Sequence, residues 1–120
     1  MKSVIKSIIV LTAFLFVHFN VPAQEKTSKI DTVKFEVKGL CGMCKDRIEN
    51  ASLLRGVKWV EWDKATDTLT VIYRKDKLDI MDVHKSIANA GHTTDKVECN
   101  MEAYKKLPAC CAYMGDAKKH

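Results

Sequence analysis

Cys41 and Cys44, in the run Gly39-Leu40-Cys41-Gly42-Met43-Cys44, are the residues of this 120-residue chain whose type and spacing can most readily do chemistry. Two thiols separated by two residues can close on one soft metal ion or on each other. The run stands where a helix is expected to begin. There the unpaired N–H groups of the first turn and the helix dipole favour a thiolate at Cys44, the form that binds soft metals. Lys45 and Arg47 add positive charge beside it.

Three further thiols, Cys99, Cys110 and Cys111, come late in the chain, with Met101, Met114 and His120 near them. In an oxidising compartment an odd number of cysteines leaves at least one free, metal-bound or joined to another chain. Three arrangements fit. Cys110 and Cys111 fold back to enlarge or cap the Cys41/Cys44 site, or the tail forms its own Cys/Met/His trap, or a disulfide staples Cys99 to Cys110 or Cys111. A bond between the neighbours Cys110 and Cys111 would be strained.

The elements that must position these thiols follow from hydrophobic periodicity. Residues 24–31 read as a flexible polar lead-in. Val33, Phe35 and Val37 alternate with charged residues, the signature of a half-buried strand. Met43 to Leu54 reads as a helix, with Ile48, Ala51 and Leu54 on its inner face and Gly56 beyond its end. Val60 and Trp62, then Leu69, Val71 and Tyr73, mark two strands joined through Lys64-Ala65-Thr66-Asp67. Asp79 can cap a second helix carrying Ile80, Val83, His84 and Ile87 on one stripe, and Thr93–Cys99 reads as a last strand. The expected fold is an α+β, ferredoxin-like β-α-β-β-α-β sandwich, with two helices on a four-stranded antiparallel sheet. It occupies residues 32–99, and 100–120 form a tail with a short helix before Pro108 and the Cys110-Cys111 pair after it.

Residues 1–23 read as a cleaved secretory signal. Lys2 and Lys6 precede a short apolar run, and Val21-Pro22-Ala23 supplies a small-residue cleavage site. The expected location is the periplasm. The formal charge of +5 falls to +3 without Lys2 and Lys6, and the surplus is spread along the chain, which disfavours nucleic acid as a partner. No Gly-rich phosphate loop, nucleophile elbow or framed pair of catalytic carboxylates occurs, so the chain reads as a non-enzyme.

The sequence resembles the heavy-metal-associated domain family, which includes copper chaperones, modules of metal-pumping ATPases and periplasmic mercuric-ion binding proteins. The likeness spans about residues 32–98. It rests on Val37-Lys38-Gly39, Cys41-x-x-Cys44, Ile48-Glu49-x-Ala51, Leu54-Arg55-Gly56-Val57, Val71-x-Tyr73 and Ile87-Ala88-x-Ala90-Gly91. It implies reversible two-coordinate binding of a soft ion by Cys41 and Cys44 on an exposed loop, followed by ligand exchange with a partner's thiols. Three departures bear on the site. Gly-Leu precedes the first thiol where the family has Gly-Met and one more residue, the Cys44–Gly56 stretch is also shorter by about one, and His92 follows Gly91 where the family often has Tyr. His92 is therefore a candidate third ligand or pH-sensitive neighbour, against a plain surface histidine.

Met43 reads as a hydrophobic plug in preference to a thioether ligand. His84 reads as a packed histidine, and Trp59 and Trp62 as one surface and one core residue. The expected function is a soft-metal binding protein, a copper chaperone or heavy-metal detoxification carrier. Its ion is Cu(I) in first place, with Hg(II) and Zn(II) as alternatives. It would pass the ion to a metal-transporting membrane protein or another metal carrier, and act as a monomer or a metal-bridged dimer. The rival is a periplasmic thiol-disulfide oxidoreductase using Cys41 and Cys44. Against it, a thioredoxin-like site expects a proline facing the thiols, and residues 24–107 contain none.

Overall fold

The computed structural model describes residues 29–115 and 119. The expected signal segment, most of the lead-in, and His120 lie outside the described residues. The elements run β1 (Ile30–Glu36), α1 (Gly42–Ser52), β2 (Val57–Asp63), β3 (Thr68–Arg74), α2 (Ile80–Asn89) and α3 (Met101–Lys105), then a 3-10 turn (Ala109–Cys111). β3 lies between the other two strands, antiparallel to both. The two-residue alternation decides which face each strand buries. Phe35, Leu69, Val71, Tyr73 and Trp62 turn inward with Val37, and Ile48 of α1 and Val83 and Ile87 of α2 cover them. Trp59 is exposed and Trp62 fully buried, as their alternation implied.

β1 starts within the expected lead-in, because Ile30 and Asp31 pair with Arg74 and Tyr73. The first helix is displaced toward its N-terminus and ends at Ser52, two residues before the expected Leu54. Asp79 caps α2 as expected, its carboxylate accepting from the Met81 N–H at 2.9 Å.

The expected fourth strand is not formed among the described residues. Only Val37 and Thr94 bridge, on the free side of β1. Two backbone bonds flank them, Lys38 N–H to the Thr93 carbonyl (2.9 Å) and Asp95 N–H to the Glu36 carbonyl (3.1 Å). The reason lies in the side chains. Thr94 Oγ1 accepts from the Lys96 and Val97 N–H groups, while the Thr94 N–H turns back to the Val97 carbonyl. Thr93 Oγ1 accepts from Cys99 N–H. Such local side-chain bonds compete with a ladder, and here they curl the segment into a turn. The sheet therefore has three strands and the rudiment of a fourth.

His84 lies in the core, stacked on Phe35 with ring centroids 3.9 Å apart and its Nδ1 2.7 Å from Thr94 Oγ1. Burial holds it below the ordinary histidine value of 6.5, Asp95 pulls the other way, and Lys96 adds to the lowering. The folded state thus binds this proton less readily than the unfolded chain. The contribution of this group to stability should be level above pH 6.5 and fall as pH drops below it, with a slope of at most about 1.4 kcal/mol per pH unit. Urea unfolding across that range should show the fall, and His84→Gln should make it shallower.

Candidate metal centre

The loop between β1 and α1 is built on Trp62. The indole N–H donates to the Val37 carbonyl (3.0 Å), and the Trp62 backbone N–H donates to Glu49 Oε1 (3.0 Å). Lys45 Nζ closes the arrangement on the Trp62 carbonyl (3.1 Å) and on Glu49 (3.3 Å). The ring leaves no space above it. A Cβ at Gly39 would stand 2.9 Å from two ring carbons and 3.1 Å from Cys44 Cβ, so this position accepts only glycine without movement. Leu40 follows into the core. Cys41 then takes the N-cap position of α1 with extended backbone, and Cys44 lies in the first turn.

The tail crosses back over this loop. Asn100 caps α3 through its side chain, and its N–H donates to the Ala88 carbonyl (2.9 Å). Gly91, at φ +101, permits the approach: a Cβ there would lie 3.1 Å from the backbone of Ala103 and Tyr104. Beyond α3, the Tyr113 hydroxyl donates to the Gly91 carbonyl (2.7 Å) and accepts from the Thr93 N–H (3.0 Å). Its ring stacks on His92, and Tyr104 meets it edge-on. The 3-10 turn between these anchors delivers Cys111 to the loop.

Cys111 Sγ lies 3.6 Å from Cys41 Sγ, which lies 3.6 Å from Cys44 Sγ. The three sulfurs fall within 4.8 Å of one another, and all three residues are buried. These separations exceed the roughly 2.05 Å of a disulfide, and all five cysteines are free thiols. With metal–sulfur bonds of about 2.3 Å, sulfurs stand about 4.6 Å apart in a linear pair, about 4.0 Å in a planar trio and about 3.8 Å along a tetrahedral edge. The observed spacing fits a three-sulfur site with small adjustments, whereas a linear Cys41–Cys44 pair would require opening by about 1 Å.

Electrostatics divides the three. Burial works against a charge on Cys41, but the Cys44 backbone N–H and the thiols of Cys111, Cys44 and Cys110 outweigh it and hold Cys41 at about 7. Cys111 is driven strongly upward, by burial first and then by donating toward Cys44 and Cys41. Near neutral pH Cys41 is therefore the thiol of the cluster that ionises most readily, its thiolate stabilised by hydrogen bonds from its neighbours.

Of the residues singled out in the sequence, Cys41, Cys44 and Cys111 come together. Cys110 stands at the rim, its Sγ 3.9 Å from Cys111 Sγ and donating to Met43 Sδ (3.5 Å). Met43 is no buried plug; it is 49% exposed. His92 is outside the sulfur group. Its Nδ1–H donates to the Lys38 carbonyl (2.8 Å), which braces the residue before Gly39, and its Nε2 is buried without a hydrogen-bond partner among the described residues. Burial, with Arg47, keeps it neutral against the pull of that carbonyl. It is a buried ring and not the surface histidine considered above. Cys99 lies beside the Tyr113 hydroxyl, so the expected staple to Cys110 or Cys111 is not the arrangement found. The thiols are also not on an exposed loop, because the tail covers them. Tyr113, Tyr104 and Asn100 were not singled out. Only Asn100, standing before Met101-Glu102-Ala103, carried a readable signal, that of an N-cap.

Several solved structures share this β-α-β-β-α core. The oxidised MerP from Ralstonia metallidurans aligns at 25% identity and a TM-score of 0.52, over 55% of this chain and 94% of its own. The CopZ metallochaperone aligns at 23% identity and a TM-score of 0.52, over 53% and 98%. The Cu(I)-loaded N-terminal domain of a potential copper-translocating P-type ATPase from Bacillus subtilis gives 24%, 0.52, 54% and 84%. The fold is that of the heavy-metal-associated domains. The Cys-x-x-Cys of this heavy-metal-associated fold stands at the start of α1, as the resemblance in the sequence implied. No family profile matches the sequence, and no curated protein matches it significantly.

Titrating the thiolate absorbance of the reduced protein should reveal one group ionising near pH 7. Cys41→Ser should remove that step. Cys111→Ala, by taking away a hydrogen-bond donor, should move it upward.

Proposed function

We propose that this protein is a periplasmic soft-metal carrier that captures Cu(I) through Cys41 and Cys44, with Cys111 of the tail as third ligand. The observation that carries this reading is the buried trio of sulfurs, with Cys41 3.6 Å from each of the other two and all three within 4.8 Å. Thiolates select soft ions, and a three-sulfur set suits Cu(I), with Hg(II) as the next candidate. Zn(II) would call for a fourth ligand, which Cys110 could supply only by turning inward. The names of the neighbours, a metallochaperone and a Cu(I)-loaded ATPase domain among them, support a carrier that delivers to a metal-transporting membrane protein or another carrier. The periplasmic location rests on the signal-like residues 1–23.

The oxidoreductase reading draws support from one observation, the Cys41 thiol held at about 7. Yet an incoming disulfide would have to reach a residue only 5% exposed, past Met43 and Cys110. A carrier with no catalytic role fits that access better.

The test is anaerobic titration of reduced protein with Cu(I) against a competing chelator, beside single serine variants. Wild type should bind one ion tightly. Cys41→Ser and Cys44→Ser should abolish tight binding, and Cys111→Ser should weaken it on the order of tenfold or more, about 1.4 kcal/mol per tenfold. Unchanged affinity in the Cys41 and Cys44 variants would overturn the site. Rapid turnover of a test disulfide with no copper uptake would favour the oxidoreductase instead.

A further inference from the structure

Two sulfurs remain outside the triad, and their positions are not incidental. Met43 Sδ, Cys110 Sγ, Cys111 Sγ, Cys41 Sγ and Cys44 Sγ are connected by successive separations of 3.5, 3.9, 3.6 and 3.6 Å, with Cys110 also in reach of Cys41. The series is graded in burial. Met43 is half exposed and Cys110 partly so, whereas Cys111 and Cys44 are closed off from solvent. Cys41, Gly42, Met43, Lys45, Asp46 and Cys110 line a shallow depression on the surface at this outer end. An ion arriving from solution there meets the exposed Met43 thioether and Cys110 thiol beside the nearly closed Cys41 edge of the triad.

We infer that Met43 and Cys110 form an entry pair that takes a soft monovalent ion from solution or a donor and passes it from Cys110 to the adjoining triad sulfurs of Cys111 and Cys41. The inference rests on the metal-binding reading of that triad. Thioethers and thiolates both accept Cu(I), and a neutral thioether holds it less firmly than a thiolate, which suits a temporary ligand. Each step is a ligand exchange. On capture, the Cys110 thiol gives its proton to water as its bond to the ion forms, and Met43 supplies a second sulfur. On transfer, the ion's bond to Cys111 Sγ forms as those to Met43 and Cys110 break. The Cys111 proton moves to Cys110 Sγ, leaving Cys110 a thiol again. The ion keeps its +1 charge throughout, and no electrons are exchanged. Separations of 3.5–3.9 Å let neighbouring sulfurs share one ion during each exchange, so it need never be released bare into an apolar interior. The same path read backward is an exit to a partner's thiols.

The test is stopped-flow transfer of Cu(I) from a coloured chelator into the reduced chain, and back out to excess chelator. Wild type is compared with Met43→Leu, Cys110→Ser and the double variant. A relay speeds entry and exit alike, so both rates should slow together, on the order of tenfold or more, while the equilibrium constant moves far less. Leucine keeps the bulk of Met43 at an exposed position, so unchanged urea midpoints will separate loss of sulfur from loss of fold. Unaltered rates in all three variants would overturn the relay. A fall in equilibrium affinity with an unaltered entry rate would also overturn it, by making Cys110 a resident ligand. If wild type takes up no copper, the metal reading of the triad fails instead, a result distinct from either.

Discussion

The indole of Trp62 is the constraint on which the thiol end of this domain depends. Its N–H holds the end of the first strand segment through the Val37 carbonyl, and its ring forms the floor beneath Gly39 and Cys44. A buried indole N–H needs an acceptor, and Val37, just past β1, offers a carbonyl that no strand partner uses at that point. The loop is thereby pressed onto an aromatic surface, and glycine at 39 is the consequence. Cys44, packed beneath that glycine, brings its sulfur to 3.6 Å from Cys41 Sγ. Glu49 and Lys45 reinforce the same residue from α1, so sheet, loop and helix are fixed to one another around a single side chain.

The tail adds a second constraint from the opposite side. Tyr113 bonds to Gly91 and Thr93, the residues between α2 and the abortive fourth strand, and so ties the 3-10 turn to the end of the sheet nearest the thiols. The failure of that strand and the docking of the tail are related. Thr93 and Thr94 curl the chain back, which leaves the Thr93 N–H free to donate to Tyr113 instead of extending a ladder. Burial then acts on the thiols in two directions. It discourages charge on Cys111, while the thiols it gathers stabilise charge on Cys41.

Much of this was legible in the sequence because it follows from periodicity. The alternation in β1, β2 and β3, the α2 stripe with its Asp79 cap, and the Cys41/Cys44 pair at a helix start all stand where the pattern put them. The fourth strand was misread because Thr93–Cys99 has strand-like composition, and what decides against it is hydrogen bonding by two hydroxyls. The tail thiols resisted for a different reason. Cys110 and Cys111 are adjacent, and which one faces inward is set by a single tight turn and by two tyrosines with no pattern of their own. His92, which the sequence leaves open as a third ligand, a pH-sensitive neighbour or a surface histidine, is buried against the Lys38 carbonyl and stands outside the sulfur group.

Cys41 and Cys111 are 70 residues apart in sequence. An ion held by both would therefore act as a clasp across most of the domain. By chain-entropy reasoning, a cross-link closing a loop of that size removes about 4 kcal/mol of freedom from the open chain. An ion there would double as a fastener, adding to the hold that Tyr113 already exerts on the C-terminal segment. If the protein carries metal as proposed, the grip of that segment would tell the loaded form from the empty one without any contact with the ion.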